Sequence, residues 1–263
     1  MSSSIRLLVR ADDAGSSWAS NEGCLRACKE GIARSVEVMM PGAWVAHAAQ
    51  LFNQHRDIDI GIHLTLTSEW DKVKWRPLTQ ANSLVDQSGN FLPLLLPRPD
   101  DDRPCLLESA WLFDEIVDEF RAQIELGLKL FPQATHISSH MLSHFSDFDP
   151  RVGEMVADLC KDYGLINDPL GRGLTRIKGY PDFPRDTKLR TTAFIKQLKA
   201  LSPGTYIFID HPAVDTAELA ATGHRGYEDV HEDRVTCLET LTDPELKRQI
   251  DQMDIKLIDY KDL

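Results

Sequence analysis

Nowhere in the chain do about 18 apolar residues follow one another, so the sequence offers no helix able to span a bilayer. The opening MSSSIRLLVR lacks a long apolar run ahead of a small-residue cleavage site. No secretory signal is therefore expected, and the cytoplasm is the default location. Positive charge is also scarce: 29 Lys and Arg against 41 Asp and Glu leave a net charge of −12. That balance disfavours phosphate backbones and anionic lipid, and excludes nucleic acid and membrane as expected partners. Cysteines are few, odd in number and scattered (Cys24, Cys28, Cys105, Cys160, Cys237), which excludes a disulfide framework and reads as reduced, mostly buried thiols. Cys24 and Cys28 have no second pair with which to form a metal site. Neither a G-x-G-x-x-G motif nor a P-loop follows the first strand, which weakens a nucleotide-binding reading.

What remains is ordinary globular material. With 42% hydrophobic and 27% charged residues over 263 positions, the chain can bury one large core. Ile5 to Val9 reads as a buried strand ending in Arg10-Ala11-Asp12-Asp13. A helix capped by Ser20 or Asn21 follows, then a strand from Val36 to Met40, a helix from Trp44 to Gln54 and a strand from Ile58 to Leu66. In that last strand Ile60, Ile62, Leu64 and Leu66 lie on one side and His63 on the other. Leu112, Ile116, Phe120, Ile124 and Leu128 form an i, i+4 row that predicts a long helix over 107–131. Thr135 to Ser139 (strand), Pro150 to Tyr163 (helix), a short strand near Leu165 and Ile166, Arg185 to Leu201 (helix), Thr205 to Asp210 (strand), Pro244 to Met253 (helix) and Ile255 to Ile258 (strand) complete an alternating series. Alternation of this kind favours a parallel sheet, doubly wound or closed as a TIM-type barrel. No internal repeat or domain boundary is evident. Periodicity is lost from about 67 to 105, so this long insertion is expected to be a lid or a mobile segment. Its run Arg98-Pro-Asp-Asp-Asp-Arg103 lacks EF-hand spacing and reads as a solvated loop.

Several polar clusters stand where strands end: Asp12-Asp13, His63, His140 with His144, and His211. In parallel α/β folds those ends converge on one face, where ligands bind. Two adjacent carboxylates at the end of an apolar strand repel one another and lose solvation, a cost that a cation on one of them removes. The unremarkable alternative is a helix cap with a solvated neighbour. The spacing of His140 and His144 suits ligation on a helix, but a loop fits equally, so the second histidine is left open; His136 reads as structural. One carboxylate with two imidazoles is a mixed shell suited to Zn²⁺, Mn²⁺ or Ni²⁺, and less comfortably to Mg²⁺. With open positions, such a site serves hydrolysis of an amide or ester.

The segments Ala11-Asp12-Asp13-Ala14-Gly15, Gly61-Ile62-His63-Leu64-Thr65-Leu66-Thr67, Ser139-His140 with His144, and Asp210-His211-Pro212-Ala213 together resemble the YdjC-like carbohydrate deacetylases, which include chitooligosaccharide deacetylases. The C-terminal segments Leu241-Thr242-Asp243-Pro244 and Ile255 to Tyr260 are similar too, so the resemblance runs from about Ile5 to Leu263. It implies a distorted TIM-like (β/α) barrel, a single domain over 1–263, and one divalent ion, Mg²⁺ or Zn²⁺. It further implies Asp13, His63 and His140 as ligands, Asp12 as general base, His211 as acid, and an N-acetylated sugar or short oligosaccharide as substrate. Against the family pattern, Ala14 replaces an aromatic residue, and Ser138 replaces an aspartate, which removes a partner for a ligand histidine. Met141 and Leu142 stand where a further histidine is common.

His144, Trp70 and Trp75 are the candidate substrate contacts; each Trp serves equally as a sugar platform or as an anchor for the insertion. Trp18 is a candidate for the mouth, while His224, Arg225, His231 and Arg234 are expected in a loop after the His211 strand. Two other classes are weighed: a non-catalytic sugar-binding barrel, motivated by Ser138, and a metal-dependent phosphoesterase, for which only Arg10, Arg172 and Arg225 supply positive charge near the motifs. A homodimer is the base-rate expectation for assembly.

Overall fold

The computed structural model describes residues 4–170 and 173–263. Its centre is β1 (Ile5–Ala14), whose apolar Leu7, Leu8 and Val9 are fully buried. Parallel neighbours flank it on both sides: β7 (Gly204–Asp210) along Ile5 to Ala11, and β2 (Ser35–Val38) along its second half. From there the sheet continues through β3 (Asp59–Leu64), β4 (Ala134–Ser139) and β5 (Ile166–Asn167) on one flank, and through β6 (Thr175–Arg176) on the other. Finally, β8 (Lys256–Ile258) pairs with Arg6 to Leu8, below the point where β2 begins. The sheet curls into a half-barrel, a distorted TIM-like α/β fold. Among the described residues β5 and β6 do not pair with each other, and each is two residues long.

Helices separate most of these strands, β5 and β6 being consecutive and α6 and α7 following one another: α1 (Trp18–Lys29), α2 (Val45–Phe52), α3 (Phe113–Leu130), α4 (Pro150–Tyr163), α5 (Thr187–Lys199), α6 (Val230–Leu241) and α7 (Pro244–Gln252). Ile116, Phe120 and Ile124 bury the predicted stripe of α3, where Gly127 lies against Ile62 of β3. Leu112 does not join it: the helix begins one residue later, and Leu112 is 56% exposed. The cap of α1 is Ser17, which accepts the Ser20 amide, rather than Ser20 or Asn21. Asn21 instead accepts the Gly15 amide at 2.6 Å, so the polar residue read as a cap ties the helix to the end of β1.

Two further expectations change. The stretch after His211 is not wholly loop: His231 and Arg234 lie on α6, which weak apolar periodicity concealed. The insertion is packed instead of hanging free. Trp75, Leu84, Phe91 and Leu94 are buried, and Phe91 donates its amide to the Trp75 carbonyl. Glu119 of α3 accepts the amides of Leu78 and Thr79. No helix among the described residues is long and apolar enough to cross a membrane.

Candidate active site

The C-terminal ends of the strands open into a cavity of about 350 Å³, with Asp12, Asp13, His63, His140 and His211 in its wall. Asp13 takes its place through an unusual backbone. The pairing of β1 with β2 shifts register between Ala11 and Ala14, and Asp13 adopts φ 72°, the left-handed region that non-glycine residues seldom occupy. Strain of this kind persists only where the surroundings impose it, and it gathers at functional sites. His63 and Ser138 are register partners on β3 and β4. His140 follows β4 directly and donates its amide to the Leu64 carbonyl.

Asp13 Oδ1 lies 3.3 Å from His140 Nδ1 and 3.7 Å from His63 Nε2. Two ligand atoms each about 2.1 Å from a tetrahedral ion lie roughly 3.4 Å apart, so the spacing matches a shared cation. Oδ1 is also buried without a hydrogen-bond partner, a costly state unless something positive meets it. Its twin, Oδ2, accepts Arg234 Nη2 at 2.6 Å. Asp12 is gripped by Arg10 through two bonds of 2.7 and 2.9 Å, and its Oδ2 stands 3.6 Å from His63 Nε2. Arg10 also donates to Asp168 at 2.6 Å and to the Tyr260 hydroxyl at 3.1 Å. Tyr260 in turn stacks on His136 with ring centres 3.4 Å apart.

Burial opposes ionisation of Asp13, but Arg234, His211 and His140 outweigh it and hold the carboxyl well below the usual range. Burial pushes His63 down to about 4, leaving it a neutral imidazole. For His140 burial works the same way but is overcome by Glu69 and Asp13, which raise it to about 10. Glu69 Oε2 sits 3.2 Å from His140 Nε2. Both imidazoles therefore have a polar partner behind them, because His63 Nδ1 lies 2.7 Å from the Ser138 hydroxyl. Ser138 bonds in turn to Glu37. The expected loss of a partner at position 138 is thus corrected: a hydroxyl on β4 and a carboxylate on β2 stand where one aspartate was expected. Asp13, His63 and His140 are a group of three whose ligand atoms all lie within 4.8 Å of one another.

Not every candidate reaches the cavity. His144 turns away and bonds to the Leu170 carbonyl, so it is neither a ligand nor part of the wall. Trp75 is 4% exposed, donates its indole N–H to the Thr67 carbonyl and meets His140 edge-on from behind the wall. Trp70 does line the cavity, but it is only 5% exposed; Arg234 lies 5.2 Å from its ring centre and His224 stacks on it at 5.8 Å. His224, from the loop after the His211 strand, therefore forms part of the wall. His231 pairs with Asp215, Arg225 pairs with Asp102, and Trp18 is absent from the wall. Arg172 lies outside the described residues. None of the five cysteines is in a disulfide.

Three residues at the site were not read from the sequence, Glu37, Glu69 and Asp168; Arg234 was named, but as a loop residue and not as the partner of Asp13. For Glu37 a signal existed, a lone charge in the middle of the apolar strand Ser35–Val38. Glu69 and Asp168 come from segments without periodicity, and the pairing of Arg234 with Asp13 was hidden because its helix carries no continuous apolar stripe.

The family described as YdjC-like protein matches residues 6–252. A carbohydrate deacetylase of Clostridium beijerinckii is 32% identical over 98% of this chain and 100% of its own length. A chitooligosaccharide deacetylase of Yersinia enterocolitica is 31% identical over 97% of this chain and 98% of its own. A solved structure from Enterococcus faecalis, provisionally named for cellobiose-phosphate cleavage, superposes over 99% of both chains with a TM-score of 0.76 at 22% identity.

Proposed function

The chain belongs to the YdjC-like family, and from that premise we propose that it is a metal-dependent deacetylase that removes the acetyl group of an N-acetylated sugar or short oligosaccharide and releases acetate. The whole of 1–263 is read as one such domain carrying the packed insertion at about 67–105. The observation that carries the proposal is the partnerless buried Oδ1 of Asp13, facing one nitrogen of each of two imidazoles.

Asp13, His63 and His140 would hold one divalent ion; two imidazole donors favour Zn²⁺ over Mg²⁺. When bound, such an ion supplies Lewis acidity and lowers the pKa of a neighbouring water. The remaining work falls to the chain. Asp12, its rotamer fixed by Arg10 and its Oδ2 at the same focus, takes the proton of the attacking water. His211 gives a proton to the departing amine. Overall the water oxygen joins the acyl carbon, the C–N bond breaks, and the sugar nitrogen leaves as an amine. Arg234 neutralises Asp13 from the side opposite the orphaned oxygen, which leaves Oδ1 for the ion. Met141, Leu142 and Trp70 provide apolar wall for a sugar. Five cysteines with no disulfide accord with a reducing compartment, and we place the reaction in the cytoplasm.

The test is acetate release from N-acetylglucosamine oligomers. A chelator should abolish it and divalent metal restore it; a chain that binds no metal and gains nothing on reconstitution would sink the reading. Asp12→Asn should keep its metal and lose turnover by roughly 10² to 10⁴. Loss of metal in that variant would overturn the division of labour between the two aspartates. A phosphoesterase reading draws on Arg98 and Arg176 in the cavity wall. Phosphate release from a panel of monoesters, without acetate release from amides, would select it.

A further inference from the structure

We infer that Glu37, acting through the Ser138 hydroxyl, is a positioning residue that fixes the tautomer of His63 and aims its Nε2 lone pair into the cation site; the inference rests on the metal reading above.

Counting protons carries it. His63 Nδ1 lies 2.7 Å from Ser138 Oγ, and the same Oγ bonds to Glu37 Oε2. A hydroxyl has one hydrogen and can give it to only one of these neighbours. Glu37 is placed to be an acceptor alone: its Oε1 faces His136 Nε2 at 2.6 Å and Arg10 Nε at 4.0 Å, and both neighbours favour the carboxylate anion. The serine hydrogen therefore goes to Glu37, and Oγ must accept from Nδ1–H of His63. That leaves Nε2 of a neutral ring unprotonated. Nε2 stands 3.6 Å from Asp12 Oδ2 and 3.7 Å from Asp13 Oδ1, acceptors both. A lone pair facing two carboxylate oxygens is repulsive unless a cation lies between them.

The sheet is built to allow this reach. Glu37 on β2 is the register partner of Gly61 on β3, and two residues further along the same face His63 pairs with Ser138 across β3 and β4. A Cβ at position 61 would sit 2.1 Å from Glu37 Oε2 and 2.4 Å from His136 Nε2. Glycine there lets a carboxylate from one strand cross its neighbour and meet a hydroxyl on the third. The two candidate ligand histidines are thus backed differently: His140 by Glu69 directly, His63 by Glu37 through one intervening hydroxyl.

The experiment reads imidazole ¹⁵N shifts in the metal-free protein, with His63 assigned by its loss in His63→Gln, and zinc affinity by calorimetry. The wild type should show His63 protonated at Nδ1. In Glu37→Gln the amide can donate to Ser138 Oγ, whose hydrogen then turns to Nδ1 and moves the ring proton to Nε2. Zinc affinity should fall by at least 10- to 100-fold. Ser138→Ala leaves the Glu37 to His136 contact in place and should cost affinity in the same direction; it decides the matter if Glu37→Gln fails to fold. Ser138→Thr, which keeps the hydroxyl, should restore most of the affinity. A wild-type His63 carrying its proton on Nε2, or unchanged zinc affinity in Ser138→Ala, overturns the inference. Failure of acetate release with the tautomer and zinc binding intact would sink the substrate reading and leave this one standing.

Discussion

At the scale of single residues, the site is a cluster of buried charges whose acids outnumber the guanidiniums among them. Asp12, Asp13, Glu37, Asp59, Glu69 and Asp168 are all buried, with Arg10 and Arg234 for company. Removing one partner from such a cluster is far more costly than removing a surface pair. Glu37 gives a pH-dependent test. Burial opposes its charge, but His136 and Arg10 hold its carboxyl well below the ordinary value of about 4.3. Its stabilisation is therefore complete above that value and is lost as pH falls through the lowered native one. His136 has the opposite sign: despite burial it is raised by Glu37 and Asp59, so its share is complete below about 6.5 and is lost as pH rises through the raised value. Metal-free wild type should exceed Glu37→Gln in thermal midpoint most between about pH 4.5 and 6.5, the gap narrowing in acid. A gap that did not change with pH would refute the ion-pair account.

At the scale of elements, α1 is seated against the loop that carries His211. A Cβ on Gly23 would come within 2.4 Å of both the Pro212 carbonyl oxygen and Ala213 Cα, backbone atoms that cannot step aside. Glycine to alanine inside a helix ordinarily stabilises by about 1 kcal/mol. Here overpacking should reverse the sign, so Gly23→Ala is expected to destabilise by roughly 1 to 3 kcal/mol. Denaturant midpoints measure this, and a more stable variant would show that α1 is not seated there. The elements are also where the sequence was most legible. The bounds of α4 were read correctly because Pro150 and the Asp149 cap mark its start and Gly164 its end. Strand β3 was legible because its two faces differ so sharply. By contrast α6 was missed because Asp233, Arg234, Thr236 and Thr240 interrupt Val230, Cys237, Leu238 and Leu241 on its buried face, leaving no continuous apolar stripe. The ligand candidates were visible as polar residues ending apolar strands. Their supports were not, since Arg234 lies 221 residues from Asp13 and Glu69 lies 71 from His140, and pairs so remote leave no local pattern.

At the scale of the whole molecule, two strands and the segment after a third supply the three candidate ligands, so a bound ion would tie β1, β3 and the end of β4 together. An ion that binds only the native state stabilises it by about 2.7 kcal/mol at a concentration 100 times its Kd. For a chain of this size, that corresponds to a rise in melting temperature of roughly 5 to 10 °C. Chelation should remove the rise and zinc should return it, as scanning calorimetry would read; an unchanged midpoint would mean that the three residues grip nothing. The position of β1 has a consequence for biosynthesis. The strand bearing both aspartates finds its neighbours β7 and β8 only among residues 204–210 and 256–258. Until the ribosome reaches about the last quarter of this sequence, that strand has one short companion and a bare flank, so the site is assembled late.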